Sequence, residues 1–365
     1  MEDFLRREGF DVRVFSPRAK LPAVTNLDGR SVFRIKEYET RRRLLGSPLA
    51  ALFAPWSLVA YLRAIEGYHP GVLVISGSSP FLLVESLLAA KLSGIPVLFD
   101  VQDSWLLMGE FHPGRLRNAF RRTLERLALS HGDVVVGVTQ GQVDLLCAGY
   151  HLDSTRLMFI PNGARPAPTP ARSEPPQYDL IHAGPPRDYY ATESFLDALA
   201  ILRSRLPKLR AAFVGVTEGP EKARWTKGLE RRGLQTTVDL LPPVPHRDMA
   251  NLLRTARVGV VTLTDRVAYK VAVSTKSYDY LAAGLPILYL GPSDSEQTSL
   301  IERYHAGLTA ESPAEFASNA EMLLTDTERM NDMRDGVRRA SADFDWDNIL
   351  RPFATRLAAL ATAGT

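Results

Sequence analysis

One feature constrains this chain more than any other: short runs rich in Val, Ile and Leu alternate with stretches of helical period, and they do so twice over. A parallel strand buried on both faces reads as a continuous apolar run, and parallel neighbours need a crossover of a dozen residues or more, usually a helix. In the first half, strands are expected at "DVRVFS" (Asp11 to Ser16), "GVLVIS" (Gly71 to Ser76), "PVLFDV" (Pro96 to Val101), "DVVVGV" (Asp133 to Val138) and "RLMFIPNG" (Arg156 to Gly163). The segment "ARPAPTPARSEPPQ", Ala164 to Gln177, holds five prolines and reads as an extended linker. After it the alternation restarts with "YDLIHAG", a helix from Thr192 to Arg205, "RAAFVGV", a helix near Lys222 to Arg232, and "VDLLPPV". A helix from Arg247 to Ala256, "VGVVTL", a further helix and "PILYLG" follow. The predicted fold class is α/β, two successive Rossmann-like domains on parallel sheets.

The length of 365 residues accommodates two such domains, and 45% hydrophobic with 23% charged residues is a globular composition. Cys147, the single cysteine, excludes an internal disulfide and a cysteine-based zinc site and fits a reducing compartment. No apolar run is long enough to span a bilayer, and "MEDFLRREGF" is too charged for a signal peptide, so a cytoplasmic protein is expected. That opening reads as a helix, with no strand before it. A doubly wound domain is expected to begin on a strand and a glycine-rich turn, so a missing first strand is anticipated. The net charge of +3 is too small to imply nucleic acid, and the basic surplus lies in the first 170 residues.

The stretch "VSTKSYDYLAAGLPILYLG", Val273 to Gly291, carries the densest chemistry. Ser274 or Thr275 is placed to cap a helix that ends at Gly284, a position suited to left-handed backbone. The free N–H groups of such a first turn suit a phosphate or diphosphate, with Lys276 adding a full charge. Asp279, one turn on, shares that face and suits sugar hydroxyls. On the residues alone, simple capping and a solvated Lys276–Asp279 pair stand as an equal alternative.

"STKSYDYLAAGLPIL" resembles the "P-S-K-x-x-E-Y-x-A-A-G-x-P-V" segment of retaining glycosyltransferases of the GT-B fold, family 4, of the O-antigen, capsule and exopolysaccharide branch. The likeness extends to "PVLFDVQDSW", "RLMFIPNGA", "FVGV" and "LLPPVPHRDMANLLRTARVGVVTL". It implies two Rossmann-like domains facing across a cleft: an acceptor-binding domain over residues 1–165, a nucleotide-sugar-binding domain over 166–345 and a C-terminal helix, 346–365, returning to the first. It further implies a nucleotide-sugar donor, UDP-linked by family habit, and a glycan or polyprenyl-linked acceptor. Asp279 then takes the place of the ribose-binding carboxylate, with Ser274, Thr275, Lys276 and Arg187 at the diphosphate. Gly184, Gly215, Val244 and His246 fall in the family's donor-binding loops. Transfer with retention would proceed by front-face attack, resting on positioning and on charge stabilisation by Arg187, Lys276 and the helix start.

Two departures from the family pattern stand out. Val271 occupies the place of the first of two glutamates, and Ala191 and Thr192 stand where a lysine is common. A catalytically inactive scaffold is therefore one alternative, and a sugar-nucleotide epimerase a weaker one.

Asp103, with Gln102, follows a first-domain strand at its carboxyl end, and is assigned to donor-sugar or acceptor hydroxyls, with helix capping as its bland alternative. "DFDWD", Asp343 to Asp347, has D-x-D spacing but stands before the last amphipathic helix, so a cap is expected there and no metal ligand. His182, His246 and His305 lack ligand spacing, and no metal or other cofactor is expected. Two segments, Arg41 to Leu62 and "GRLRNAFRRTLERLAL", join arginines to apolar residues. The second aligns Leu116, Phe120, Leu124 and Leu127, which suits either the inner face of an anionic membrane or packing on the sheet.

Overall fold

The computed structural model describes residues 1–17, 24–27, 30–35, 54–77, 79–112, 114–166, 175–184 and 191–363. Contacts divide the chain into two units: Met1–Ile160 with Leu350–Thr365, and Pro161–Ile349.

In the first unit a short helix α1 (Glu2–Arg7) precedes strands β1 (Val14–Pro17), β2 (Val24–Leu27) and β3 (Arg30–Ile35). These three form a small sheet in the order β1-β3-β2, with β2 and β3 antiparallel. That corrects one expectation and adds an element. The strand anticipated at Asp11 to Ser16 begins three residues later and does not join the main sheet, and a β2–β3 hairpin was not anticipated. Its register pairs Leu27 with Arg30, and the sequence between them is Asp-Gly, a strong hairpin signal between alternating runs.

The main sheet of this unit contains β4 (Leu73–Ser76), β5 (Val97–Val101), β6 (Val134–Gly137) and β7 (Leu157–Phe159), all parallel and in sequential order. The helices are α2 (Ala54–Tyr68), α3 (Pro80–Leu92), α4 (Trp105–Met108), α5 (Arg115–His131) and α6 (Gln140–Tyr150). Every residue of β5 is buried, as its apolar sequence demands, although one of them is Asp100. On α5 the inward residues are Glu125, Ala128 and Leu129, whereas Leu116 and Leu127 are exposed. The packing alternative therefore fails for Leu116 and Leu127, whereas Phe120 and Leu124 are half-buried and the Phe120 ring lies 6.0 Å from that of Phe81 on α3.

The second unit runs β8 (Tyr178–Ala183), α7 (Thr192–Arg205), β9 (Ala211–Val214), α8 (Pro220–Glu230), β10 (Val238–Leu241), α9 (His246–Leu253) and β11 (Ala256–Thr262). It continues with α10 (Val267–Lys270), α11 (Thr275–Ala282), β12 (Ile287–Leu290), α12 (Glu296–Tyr304), β13 (Gly307–Ala310), α13 (Pro313–Thr325) and α14 (Thr327–Asp343). All six strands are parallel, in the order β10-β9-β8-β11-β12-β13. Two apolar clusters cover the sheet, one containing Phe195, Phe213 and Phe316, the other Tyr278, Tyr280, Leu281 and Ile301. The last helix, α15 (Trp346–Ala363), starts in the second unit and passes into the first, where Ala361 lies against Gly71.

Asp345 resolves the D-x-D motif. Its carboxylate accepts from the Asp347 N–H (3.0 Å) and its carbonyl from Asn348 and Ile349, which caps α15, while Asp343 accepts from the Tyr304 hydroxyl (2.8 Å).

Candidate functional site

Strand order decides where a ligand sits in an open α/β sheet. In the second unit the chain winds outward one way from β8 through β9 to β10, then returns to the other side of β8 with β11, β12 and β13. The direction reverses between β8 and β11, and crevices for ligands form at the carboxyl ends of the two strands flanking such a reversal. Gly184 follows β8 directly, and α11 begins in the connection that leaves β11.

Those two segments meet through Lys276. A Cβ built on Gly184 falls 2.6 Å from Lys276 Cε and 3.2 Å from Nζ, and Gly184 has φ +106°. The left-handed backbone therefore favours glycine there, and any side chain would have to displace the end of Lys276. Lys276 is 9% exposed, so it is not half of a solvated pair. Desolvation lowers its pKa to about 7, because a low-dielectric site disfavours the cation. His182, buried between Phe195 and Phe213, is pushed well below the usual histidine range by burial and by the nearby Lys276.

The start of α11 is built differently from the expectation. Ser274 is the N-cap residue, yet its hydroxyl makes no cap bond. Gln297, fully buried on α12, holds the turn instead: its Oε1 accepts from the Ser274 N–H (3.1 Å) and the Ser277 hydroxyl (2.8 Å). The serine side chain thus does not cap the helix, and the Ser277 N–H donates to the Ser274 carbonyl (2.9 Å), while the helix dipole puts its positive end at this turn. At the other end Gly284 has φ +78° and closes the helix as anticipated.

Gly215 (φ +99°) and Val244 follow β9 and β10, so they lie on the same carboxyl edge as Gly184. Thr275 is exposed at the first position of α11, Asp279 is half-buried one turn beyond Lys276, and His246 opens α9. Arg187 lies outside the described residues.

The carboxyl edge of the first unit's sheet carries a different set of groups. Asp103 is exposed just beyond β5. Gln102 Nε2 donates to Asp100 Oδ1 (2.8 Å), and the Gln102 carbonyl accepts from Gln142 Nε2 (3.4 Å). Gln142 Oε1 accepts in turn from the Val138 N–H (2.7 Å). The Asp100 carboxyl is pushed up by burial, against the opposing hydrogen bonds of Ser76 and Gln102. Beneath the same loop the fully buried Glu125 accepts from Ser104 Oγ and the Trp105 N–H, each at 2.9 Å, and from the Tyr150 hydroxyl. Ser104 meanwhile caps α4. Asp103 is thus not the residue that caps this helix, and its loop is pinned from below.

Two family models match the sequence, "Glycosyl transferase 4-like domain" over residues 4–163 and "Glycosyl transferase-like" over residues 191–355. The chain is a glycosyltransferase of the GT-B fold. Sucrose-phosphate synthase from Thermosynechococcus elongatus is similar in structure, with a TM-score of 0.73 at 16% identity, over 99% of this chain and 91% of that one. Anabaena HepE in complex with UDP superposes with a TM-score of 0.69 at 16% identity, over 90% of this chain and 91% of that one. WaaG, a glycosyltransferase involved in lipopolysaccharide biosynthesis, gives 0.67 at 15% identity, over 97% and 93%. No curated protein matches the sequence.

Sequence reasoning missed four residues of this glycosyltransferase's two edges: Asp100, Glu125, Tyr280 and Gln297. Asp100 had a signal, a lone carboxylate inside an otherwise apolar strand, since buried acids are rare unless paired. Glu125 and Gln297 gave none, because their partners are 20 or more residues away in sequence.

Proposed function

We propose that this glycosyltransferase takes a sugar from a nucleotide-sugar donor, UDP-linked, and passes it with retention to a glycan or lipid-linked glycan acceptor of the cell surface. The observation that carries the donor half is Lys276, buried against Gly184 at the start of α11 where the strand order reverses. A diphosphate there meets the positive end of the helix dipole and an ammonium whose charge is disfavoured by burial and favoured by a nearby anion. Charge on the departing diphosphate is stabilised by the same groups, joined by Arg187. Asp279 accepts from ribose hydroxyls, and the Gly215 and Val244 loops border the nucleotide with His246. No metal takes part. HepE, solved both with UDP and with UDP-glucose, supports the choice of nucleotide.

The acceptor is held by the first unit, where Asp103 and the Asp100–Gln102–Gln142 chain offer hydrogen-bond acceptors and amides suited to sugar hydroxyls. A bilayer contact fits the same unit. Leu116, 89% exposed on α5, and Leu127 stand with exposed Leu88 and Leu92 of the neighbouring α3, among the exposed Arg115, Arg117, Arg122 and Arg126. Exposed leucines interleaved with arginines match an anionic lipid surface. Among the described residues no helix is long and apolar enough to cross a membrane, so this contact would be peripheral. The segment Arg41 to Leu62, the other candidate, lies largely outside the described residues.

A thermal-shift panel of UDP, GDP, dTDP, CMP and their sugars tests the donor. Saturation at about 100 times Kd adds about 2.7 kcal/mol to the folded state. UDP and one UDP-sugar are expected to stabilise the protein, with or without EDTA; a shift from GDP or CMP alone would reject the UDP assignment. The anomeric coupling constant of the product, read by NMR, decides retention. Co-sedimentation with phosphatidylglycerol vesicles, lost in Leu116→Glu and absent with phosphatidylcholine, is the result expected of the lipid contact.

A further inference from the structure

One buried hydroxyl of the second unit interrupts its sheet at a telling place. The last paired residues of β8 and β11 are Ile181 and Gly259. One rung further on, Ala183 and Val260 do not bond each other. The Ala183 N–H instead donates to the Tyr280 hydroxyl (2.8 Å), which donates onward to the Val260 carbonyl (3.0 Å). Tyr280 is fully buried, and a Cβ on Gly259 would fall 2.5 Å from its ring, so the phenol lies flat where only glycine leaves room. The strands part around that oxygen at the point where the strand order reverses.

Tyr280 also sits four residues after Lys276, on the same face of α11. Lys276 packs on Gly184 while Tyr280 holds Ala183, so two consecutive residues of the β8 exit are clamped by two consecutive turns of one helix. The remaining side of the exit is fixed to β9, since the Gly184 N–H donates to the Val214 carbonyl (3.0 Å).

We propose that Tyr280 is a positioning residue of the donor site: its hydroxyl replaces one rung between β8 and β11, holds the crevice open and sets Gly184 against Lys276. This rests on the reading of the α11 start as the diphosphate site. Phenylalanine at this position keeps the ring and deletes only the hydroxyl, leaving the Ala183 N–H and Val260 carbonyl either unpaired or rebonded to each other. Either outcome narrows or loosens the crevice, whereas the loss of a buried hydroxyl elsewhere does not. Tyr304→Phe, which loses the bond to Asp343 in the same unit, serves as the matched control.

The experiment is calorimetric titration of UDP into wild type, Tyr280→Phe, Tyr304→Phe and Lys276→Met, with Tm recorded for each. Tyr280→Phe is expected to weaken UDP binding about tenfold, in line with one buried hydrogen bond, while Tyr304→Phe lowers Tm with wild-type affinity. Wild-type affinity in a folded Tyr280→Phe overturns the proposal and leaves the donor reading standing. No binding by wild type, or equal binding by Lys276→Met, overturns the donor reading and the proposal with it. Should Tyr280→Phe fail to fold, amide exchange in wild type decides. UDP is expected to slow exchange at Ala183 and leave β13 unchanged; an Ala183 amide indifferent to UDP overturns the proposal.

Discussion

The carboxyl edges of the two sheets are built from the same βα units and carry opposite chemistry. In the second unit the strand order reverses, and the edge there presents a helix start and a buried lysine. In the first unit the described main sheet runs β4 to β7 without reversal, and its edge presents Asp100, Gln102, Asp103 and Gln142. Burial acts on the charged group at each edge in the same sense, towards neutrality: Lys276 is lowered and Asp100 is raised. On the proposed reading, the lysine edge serves the diphosphate of a donor, and the rim of acceptors and amides serves the hydroxyls of a sugar acceptor. Topology places the edges, and a few side chains give each its chemistry.

The comparison breaks hardest at Gly184. Gly184→Ala combines a left-handed backbone with a Cβ against the Lys276 side chain, and is expected to cost UDP affinity on the order of 100-fold. An alanine variant with intact UDP binding would separate Lys276 from the donor. Next comes Lys276→Met, expected to weaken UDP binding about tenfold or more while raising Tm, because an apolar chain of similar length escapes the desolvation that the ammonium suffers. Loss of function with a gain in stability distinguishes a binding lysine from a structural one, for which both would fall together.

The pH dependence sharpens the same point. Burial lowers the Lys276 pKa to about 7, and a bound diphosphate raises that value by favouring the cation. Above pH 7 binding therefore requires proton uptake, and UDP affinity is expected to fall as pH rises from 7 to 9, with a limiting slope of about tenfold per pH unit. Lys276→Met should show a flat profile over that interval. The smallest effect is expected in the first unit. Glu125→Gln loosens the α4 turn beneath Asp103, and should raise the acceptor KM about three- to tenfold with UDP affinity unchanged. A change in UDP affinity instead would place Glu125 on the donor side and erase the contrast between the edges.

Much of this architecture was legible in the residues. Helix α7 lies where its period places it, from Thr192 to Arg205, and β8 to β12 fall within or beside their apolar runs, because buried parallel strands carry their signal locally, whereas β13, short and opening on glycine, was not anticipated. The first unit was harder to read. The β2–β3 hairpin has only Asp28-Gly29 as its sequence signal, and the leucines of α5 mislead because its inward face is Glu125, Ala128 and Leu129. A buried glutamate with distant partners looks, in sequence, like one more solvated charge. Within the site, Lys276 and Asp279 stood out by spacing on one helix. Gln297 and the Tyr280 hydroxyl did not, because each acts on a segment brought near only by the sheet: Gln297 on Ser274, and Tyr280 on Ala183, 97 residues away.

The most direct test of the donor site is proton uptake on UDP binding, obtained at pH 8 from calorimetric titrations in two buffers of different ionisation enthalpy, on wild type and Lys276→Met. Wild type is expected to take up most of one proton per UDP bound, and Lys276→Met close to none. Tight UDP binding with the same proton count in both proteins would contradict the assignment of Lys276 to the diphosphate.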